Sequence, residues 1–376
     1  GNTVLQVTNS TNMTRGRHNL KIGFDVRFDE RNKYQPGPVS GEFNFLRTST
    51  NNPQSPNATG FGIATFALGA ATSGRMVVGL AASERYFYYA GFVQDDIKIT
   101  PRLTLNAGFR YDIITAPRER YNRYSNFNPT TINPVTKLPG ALQFAGVDFG
   151  RTVDQNDYNN LGPRLGFAYD VFGGGRTVLR AAYGIFYFHS ATFAFPDTLG
   201  FSATTSYASP DGLAPAFRLR NGPPNVIQPP GSANGPASFL GNAVSIRETN
   251  TRTPYVQQWN FGIQQAVGDS GLLLEAVYAG SHTLKAVSQG YSLKQLDPRY
   301  LSLGFALDDR VPNPMFNIIP AGTPLSNATI SRQQSLLDFP AYNGVNVLNP
   351  HLGNSIYHSG QFRVEKRFSR DRKSVV

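Results

Sequence analysis

The stretch Leu103–Asp112, LTLNAGFRYD, sets Leu103, Leu105, Ala107, Phe109 and Tyr111 against Thr104, Asn106, Gly108, Arg110 and Asp112. Side chains alternate across a strand, so one face of this segment is apolar and ends in an aromatic ring, while the other carries charge and amide. That is the pattern of a sheet with one wet face. It recurs in Leu20, Ile22, Phe24, Val26 and Phe28 against Lys21, Gly23, Asp25, Arg27 and Asp29. Leu165, Phe167, Tyr169 and Val171 oppose Arg164, Gly166, Ala168 and Asp170. Leu179, Ala181, Tyr183, Ile185 and Tyr187 oppose Arg180, Ala182 and Gly184, with Phe186 and Phe188 blurring the polar side. Trp259, Phe261 and Ile263 oppose Gln258, Asn260, Gly262 and Gln264; Leu272, Leu274, Ala276 and Tyr278 oppose Glu275.

The pattern predicts nine strands, at roughly 3–9, 18–29, 84–99, 102–115, 162–172, 176–188, 254–267, 271–284 and 356–369. Most run about 12 to 14 residues, roughly twice the usual globular strand, and a tilted strand needs about 9 to 11 to cross a bilayer. Short connections fall at Thr100-Pro101, Gly173-Gly174-Gly175 and Gly268-Asp269-Ser270, with a slightly longer one from Ser10 to Gly16. Between them lie four long connections, at about 30–83, 116–160, 189–253 and 285–355, far beyond ordinary loop lengths. Direction reverses at each connection, so all four long ones gather at one end. This is the layout of a transmembrane antiparallel up-and-down β-barrel, with short periplasmic turns and long extracellular loops. Nine is odd and bacterial single-chain barrels close with an even number, so a partial barrel is expected. Of the loops, the segment holding Pro223, Pro224, Pro229, Pro230 and Pro236 reads as irregular coil, and Phe61–Ala71 as a short helix or strand folding back on the barrel.

Composition agrees. The 376 residues include 37 Gly, 18 Tyr and 27 Phe, which favour strands and turns over helix. No run approaches the 18 or so apolar residues of a spanning helix, and mean hydropathy is −0.30. Alternating strands keep hydropathy near that of a soluble protein while one side meets lipid. The absence of cysteine excludes a disulfide framework or a Cys-ligated metal. A net charge of +11 invites a nucleic-acid reading. The basic residues are nevertheless dispersed, and the densest group, Lys366, Arg367, Arg370, Arg372 and Lys373, sits beside Glu365 and Asp371. No nucleic-acid partner is expected. The sequence starts at Gly1 without a signal-peptide pattern and reads as an internal fragment of a longer chain.

The run from Tyr88 to Asp112, YYAGFVQDDIKITPRLTLNAGFRYD, resembles the barrel hairpin of TonB-dependent outer-membrane receptors, in which a QDD strand leads through a Pro turn into LTLN.G.RYD. NNLGPRLGFAYDVFGGGRTVLRAAYGIFYF from Asn159, TPYVQQWNFGIQQAV from Thr253 and LLLEAVYAGSHTLKAV from Leu272 are similar to the Oar-like subgroup of that family. The resemblance implies a 22-stranded barrel closed by an N-terminal plug, located in the outer membrane of a Gram-negative bacterium. It also implies uptake of an extracellular ligand with force relayed by TonB. Residues 1–376 would then be part of a single barrel domain, with the plug of the same full-length chain, the TonB complex and outer-membrane lipid as partners. A passive porin-like or structural, adhesive barrel is the alternative.

Catalysis finds little support. The five histidines, His18, His189, His282, His351 and His358, show no metal-ligand spacing, and no cofactor is expected. Asp95 and Asp96 are strand neighbours and point to opposite faces, so they cannot act as a carboxylate pair. Gly173–Gly175 lacks the GK[ST] and helix of a phosphate cradle. Asn9, Asn12, Asn57 and Asn327 begin Asn-x-Ser/Thr triplets, which Asn-rich loops produce by chance. The candidate lumen residues are those of the polar faces: Lys21, Asp25, Arg27, Arg110, Asp112, Arg164, Asp170, Arg180, Gln258, Asn260, Gln264 and Glu275. Tyr111, Tyr169, Tyr183, Tyr187, Trp259 and Tyr278 lie on apolar faces, several toward strand ends, and form a candidate girdle at the lipid headgroups. Arg31, Arg47, Tyr121, Arg123, Arg218 and Arg247 give the long connections a basic bias suited to substrate recognition.

Overall fold

The computed structural model describes residues 1–376 apart from 35–36, 53, 56–57, 189–196, 251, 269, 368–372 and 376. Asn57, His189, Asp269, Arg370 and Arg372 therefore lie outside the described residues. Nine long strands form the body: β1 Asn2–Arg15, β2 His18–Lys33, β3 Ala82–Thr100, β4 Leu103–Ile114, β5 Leu161–Asp170, β6 Thr177–Tyr187, β7 Tyr255–Val267, β8 Leu272–Ala286 and β9 Gly353–Arg367. Each pairs antiparallel with its chain neighbours, and Arg118–Glu119 and Lys373–Val375 complete an 11-stranded sheet. The sheet is an uninterrupted meander and does not close on itself.

Register fixes the two faces. One cross-strand row reads Ile97, Leu105, Phe167, Ala181, Phe261 and Tyr278 across β3 to β8. The row one residue along reads Asp96, Asn106, Gly166, Ala182, Asn260 and Ala279. A slip of one residue in any strand would exchange apolar for polar across the whole sheet, so the alternation itself specifies the pairing. The apolar face is bare: Phe109 is 42% exposed, Leu165 57% and Phe362 85%. Leu105 and Leu179 are half-buried by their neighbours. A continuous apolar surface of this extent is foreign to a water-facing monomer and natural against hydrocarbon.

Two boundaries differ from the sequence reading. The strand expected at 3–9 runs to Arg15, so the connection expected over Ser10–Gly16 is a two-residue turn at Gly16 and Arg17. Gly16, with φ +59° at the first turn position, supplies the conformation a tight hairpin needs. Asn9, Ser10, Thr11 and Asn12 look like loop residues but pair with Phe24, Gly23, Ile22 and Lys21, because the backbone ladder with β2 runs on to the turn. Arg31, assigned to a long connection, likewise lies inside β2.

The connections 34–81, 115–160, 188–254 and 287–352 all emerge from the same end of the meander and fold together into a cap. Ser73–Gly79 of the first pairs with Ser202–Ala208 of the third, and Ala70–Ala71 pairs with Phe217–Arg218. Ala243–Ile246 of the third runs parallel to Gly344–Val347 of the fourth. Phe127, Leu142, Phe144, Leu240, Ile319, Tyr342 and Val345, drawn from three connections, form a buried apolar cluster. The stretch Phe61–Ala71, expected as a short helix or strand, holds a helix at Gly62–Ala67 and a two-residue strand at Ala70–Ala71. The Pro-rich segment holds only single 3-10 turns at Leu219–Asn221 and Gly235–Ala237.

Candidate functional site

The polar face curves around a concavity of about 450 Å³ lined across five strands by groups including Gln94, Asn106, Arg164, Arg180 and Asn260. Above it, toward the cap, arginines alternate with rings. Arg27 lies over Tyr88, Arg110 over Phe92 and Arg164 over Phe186, the last at 4.6 Å from the centroid. Asp112 anchors this lattice: the Tyr88 hydroxyl donates to its Oδ1 at 2.5 Å, Arg110 Nε donates to the same oxygen at 3.0 Å, and Arg110 reaches Tyr88 Oη at 2.6 Å. Asp25 lies 4.0 Å from Arg110 and accepts from Gln6. Arg27 pairs with Asp29 at 2.8 Å. Phe92 packs on Gly23, where a Cβ would meet the ring at 2.6 Å. The arrangement presents fixed guanidinium planes and rings toward the concavity, a surface that attracts anionic or aromatic groups.

The other sequence-selected polar residues occupy the same face with different employment. Asp170 turns its carboxylate into the β5–β6 hairpin, accepting from the Gly173 and Gly175 amides at 3.0 and 2.7 Å. Glu275, opposite Gln264, lies 3.9 Å from Arg363. Lys21, Arg180, Gln258 and Asn260 are exposed along it. Tyr88, Phe92 and Phe186 complete the lattice, and as aromatic residues on a polar face they break the alternation that marks it. The signal was available: Gly23 and Gly184 flank Phe92 and Phe186, leaving space for a ring.

All six selected aromatics stand on the apolar face. Tyr183 pairs with Trp259, Trp259 lies over Gly280, and His358 stacks on Tyr278 at 6.0 Å and 13°. This row crosses four strands. Tyr187 contacts Tyr255, and the Tyr111 hydroxyl donates to the Tyr158 carbonyl in the cap. Tyr169 lies near the opposite, short-turn end. There His18 and Asp95 pair at 2.6 Å on the apolar face, while Asp96 accepts from Asn106 on the polar one.

In the cap, Arg247 is buried and bonded through Nε to Asp154 at 2.5 Å, which removes it from any ligand-facing surface. Burial pushes the Asp154 carboxyl up against the opposing pull of that guanidinium. Arg123 donates to the Ala81 carbonyl and stacks on Tyr121. Arg218 sits in the short strand that pairs with Ala70. Arg47 opens a 3-10 turn. Burial holds the Lys294 amine down at about 8 while it donates to the Tyr342 carbonyl and Gln334. The loop arginines named from sequence are thus largely builders of the cap.

Compared with known families, the chain matches over residues 1–373 the family described as outer membrane beta barrel domain. The chain belongs to that family. Its place is the outer membrane of a Gram-negative bacterium, with the apolar face as the lipid side of such a barrel. No curated protein matches. Among solved structures, the outer membrane transporter YddB from Escherichia coli is 12% identical with a TM-score of 0.45, covering 97% of this chain and 30% of that one. The copper transporter OprC is 10% identical with a TM-score of 0.41, covering 99% and 36%. The ferric-catecholate import receptor Fiu from E. coli K12 is 12% identical with a TM-score of 0.38, covering 100% and 38%. The chain therefore spans between 30% and 38% of the length of these barrels.

Proposed function

We propose that this chain is wall and extracellular cap of an Oar-like TonB-dependent receptor that takes up an extracellular ligand without enzymatic turnover. The reading rests on the hairpin from Tyr88 to Asp112, whose sequence resembles that family and whose polar face carries the arginine–aromatic lattice. In it, residues 1–376 are part of one barrel domain, and the polar faces line the lumen. Lys21, Arg27, Arg110, Arg164 and Arg180 then face the plug or the passing ligand, with Asp25 and Asp112 holding Arg110 in place. Tyr111, Tyr183, Tyr187, Trp259 and Tyr278 form the outer girdle, and Tyr169 belongs to the inner one. The partners are the plug of the same chain, the TonB complex, outer-membrane lipid and a ligand of unassigned identity.

The intact natural protein in a planar bilayer separates uptake from passive flow. A plugged receptor gives no steady conductance until the plug is loosened by denaturant, whereas a permanently open channel would establish the porin reading instead.

A further inference from the structure

A cationic recess lies on the apolar side of the wall, not on the polar one. Its volume is about 840 Å³, and it opens where β2, β3 and β4 enter the cap. Its floor is apolar: Phe28 packs on Phe87 at 5.1 Å, and Phe87 stacks on Tyr89 at 5.8 Å and 10°. Its rim carries Arg85, Arg118, Arg120 and Arg151.

Arg85 and Arg118 are direct cross-strand partners, so two like charges face each other on one side of the sheet, an unfavourable arrangement that Glu30 relieves at Arg85 and that a bound anion would relieve further. Glu30 meets Arg85 at 3.0 Å, yet Arg85 Nε stays buried without a hydrogen-bond partner among the described residues. The two carboxylates that line the recess are engaged elsewhere. Glu119 accepts the backbone amides of Ser83, Tyr121 and Arg123, and Asp154 is bonded to Arg247. Arg118, Arg120 and Arg151 are exposed, and no carboxylate lies within ion-pair distance of them among the described residues.

We propose that this recess binds the headgroup of a phosphate-bearing glycolipid of the outer leaflet. Arg85, Arg118 and Arg151 would clamp the phosphates, and the first segments of the acyl chains would lie on Phe28, Phe87 and Tyr89. The position selects the ligand. A ring floor continuous with the lipid-facing surface, topped by guanidinium groups at the extracellular end, matches an amphiphile lying upright in the membrane, whereas a soluble phosphate compound needs no apolar floor. Guanidinium forks suit phosphate oxygens through paired, charge-assisted hydrogen bonds.

The test uses the intact natural protein, purified in detergent and stripped of lipid, titrated with bisphosphorylated lipid A, with its dephosphorylated form and with inorganic phosphate. Bound lipid is counted by native mass spectrometry. The expected result is one saturable site for bisphosphorylated lipid A, at least about tenfold tighter than for the dephosphorylated lipid. The double substitution Arg118→Gln and Arg151→Gln is expected to weaken it by about tenfold or more. Arg151→Gln alone, on an exposed loop, is expected to weaken it by a smaller factor and covers the case in which the double variant misfolds. Equal binding of the dephosphorylated lipid, or unchanged binding in either variant, overturns the proposal. Displacement of the lipid by inorganic phosphate at equal concentration assigns the arginines to a soluble anion and overturns it as well.

Discussion

The wall and the cap are stabilised in opposite ways. In the wall, every long strand pairs with its neighbour in the chain, and the apolar side chains remain uncovered by protein. In the cap, the apolar side chains are enclosed, and the contacts join residues far apart in sequence, as when Asn133 bonds Tyr342 across 209 positions. The wall is a backbone ladder that awaits hydrocarbon; the cap is a small water-side core. The same chain therefore answers two solvents, and substitutions in the two regions are expected to be felt by different measurements.

The largest separation comes from the cap core. Phe127→Ala removes a buried ring that packs on Phe339 and Tyr342, and should cost about 3–5 kcal/mol. Limited proteolysis of residues 115–160 should accelerate while the heat-resistant β-signature of the wall persists; joint loss of both would show that cap and wall are one cooperative unit. Leu165→Arg tests the other side, since an arginine on the lipid face should cost about 2–4 kcal/mol in a bilayer. Unfolding in lipid vesicles should register the loss, with the cap's protease pattern unchanged. Gly280→Ala probes the aromatic row: its new Cβ would stand 2.5 Å from the Trp259 ring, a clash worth about 1–3 kcal/mol. A shift in Trp259 emission, taken as the difference from a Trp259→Phe background, reports the displaced ring.

The smallest expected effect is one of pH. Lys294 titrates at about 8 in the folded cap against 10.5 for a free amine. The unfolded segment therefore binds more protons between those values, so cap stability rises as pH is raised from 8 toward 10.5. Tyr342, pushed up to about 12 by burial, stays neutral in that window. With the amine partly exposed, the gain is expected to stay below about 1 kcal/mol. Amide protection factors at 291–295, taken relative to the intrinsic exchange rate at each pH, should rise accordingly, and Lys294→Met should abolish the dependence.

The contrast also explains what a reader of the sequence can see. Strand alternation is a local signal, and it yields the nine strands, their order and both faces, because one residue of slip would expose every polar group to lipid. It stops short at β1, where Asn9, Thr11 and Asn12 pair with β2 without an apolar rhythm. The cap leaves no such local trace. Phe127, Leu240 and Tyr342 meet only in three dimensions, and Arg247 reads as a surface cation until Asp154 is found beside it. The polar lattice was half visible: Arg110 and Asp112 announce themselves, whereas Tyr88 and Phe186 break the rule that identifies the face.

The interlocking of the connections also constrains biogenesis. Tyr342 and Val345 come from 287–352, while Phe127 and Leu142 come from 115–160, so this buried cluster is incomplete until both segments stand on the same side of the wall. Deletion of 287–352 should therefore leave 115–160 open to added protease.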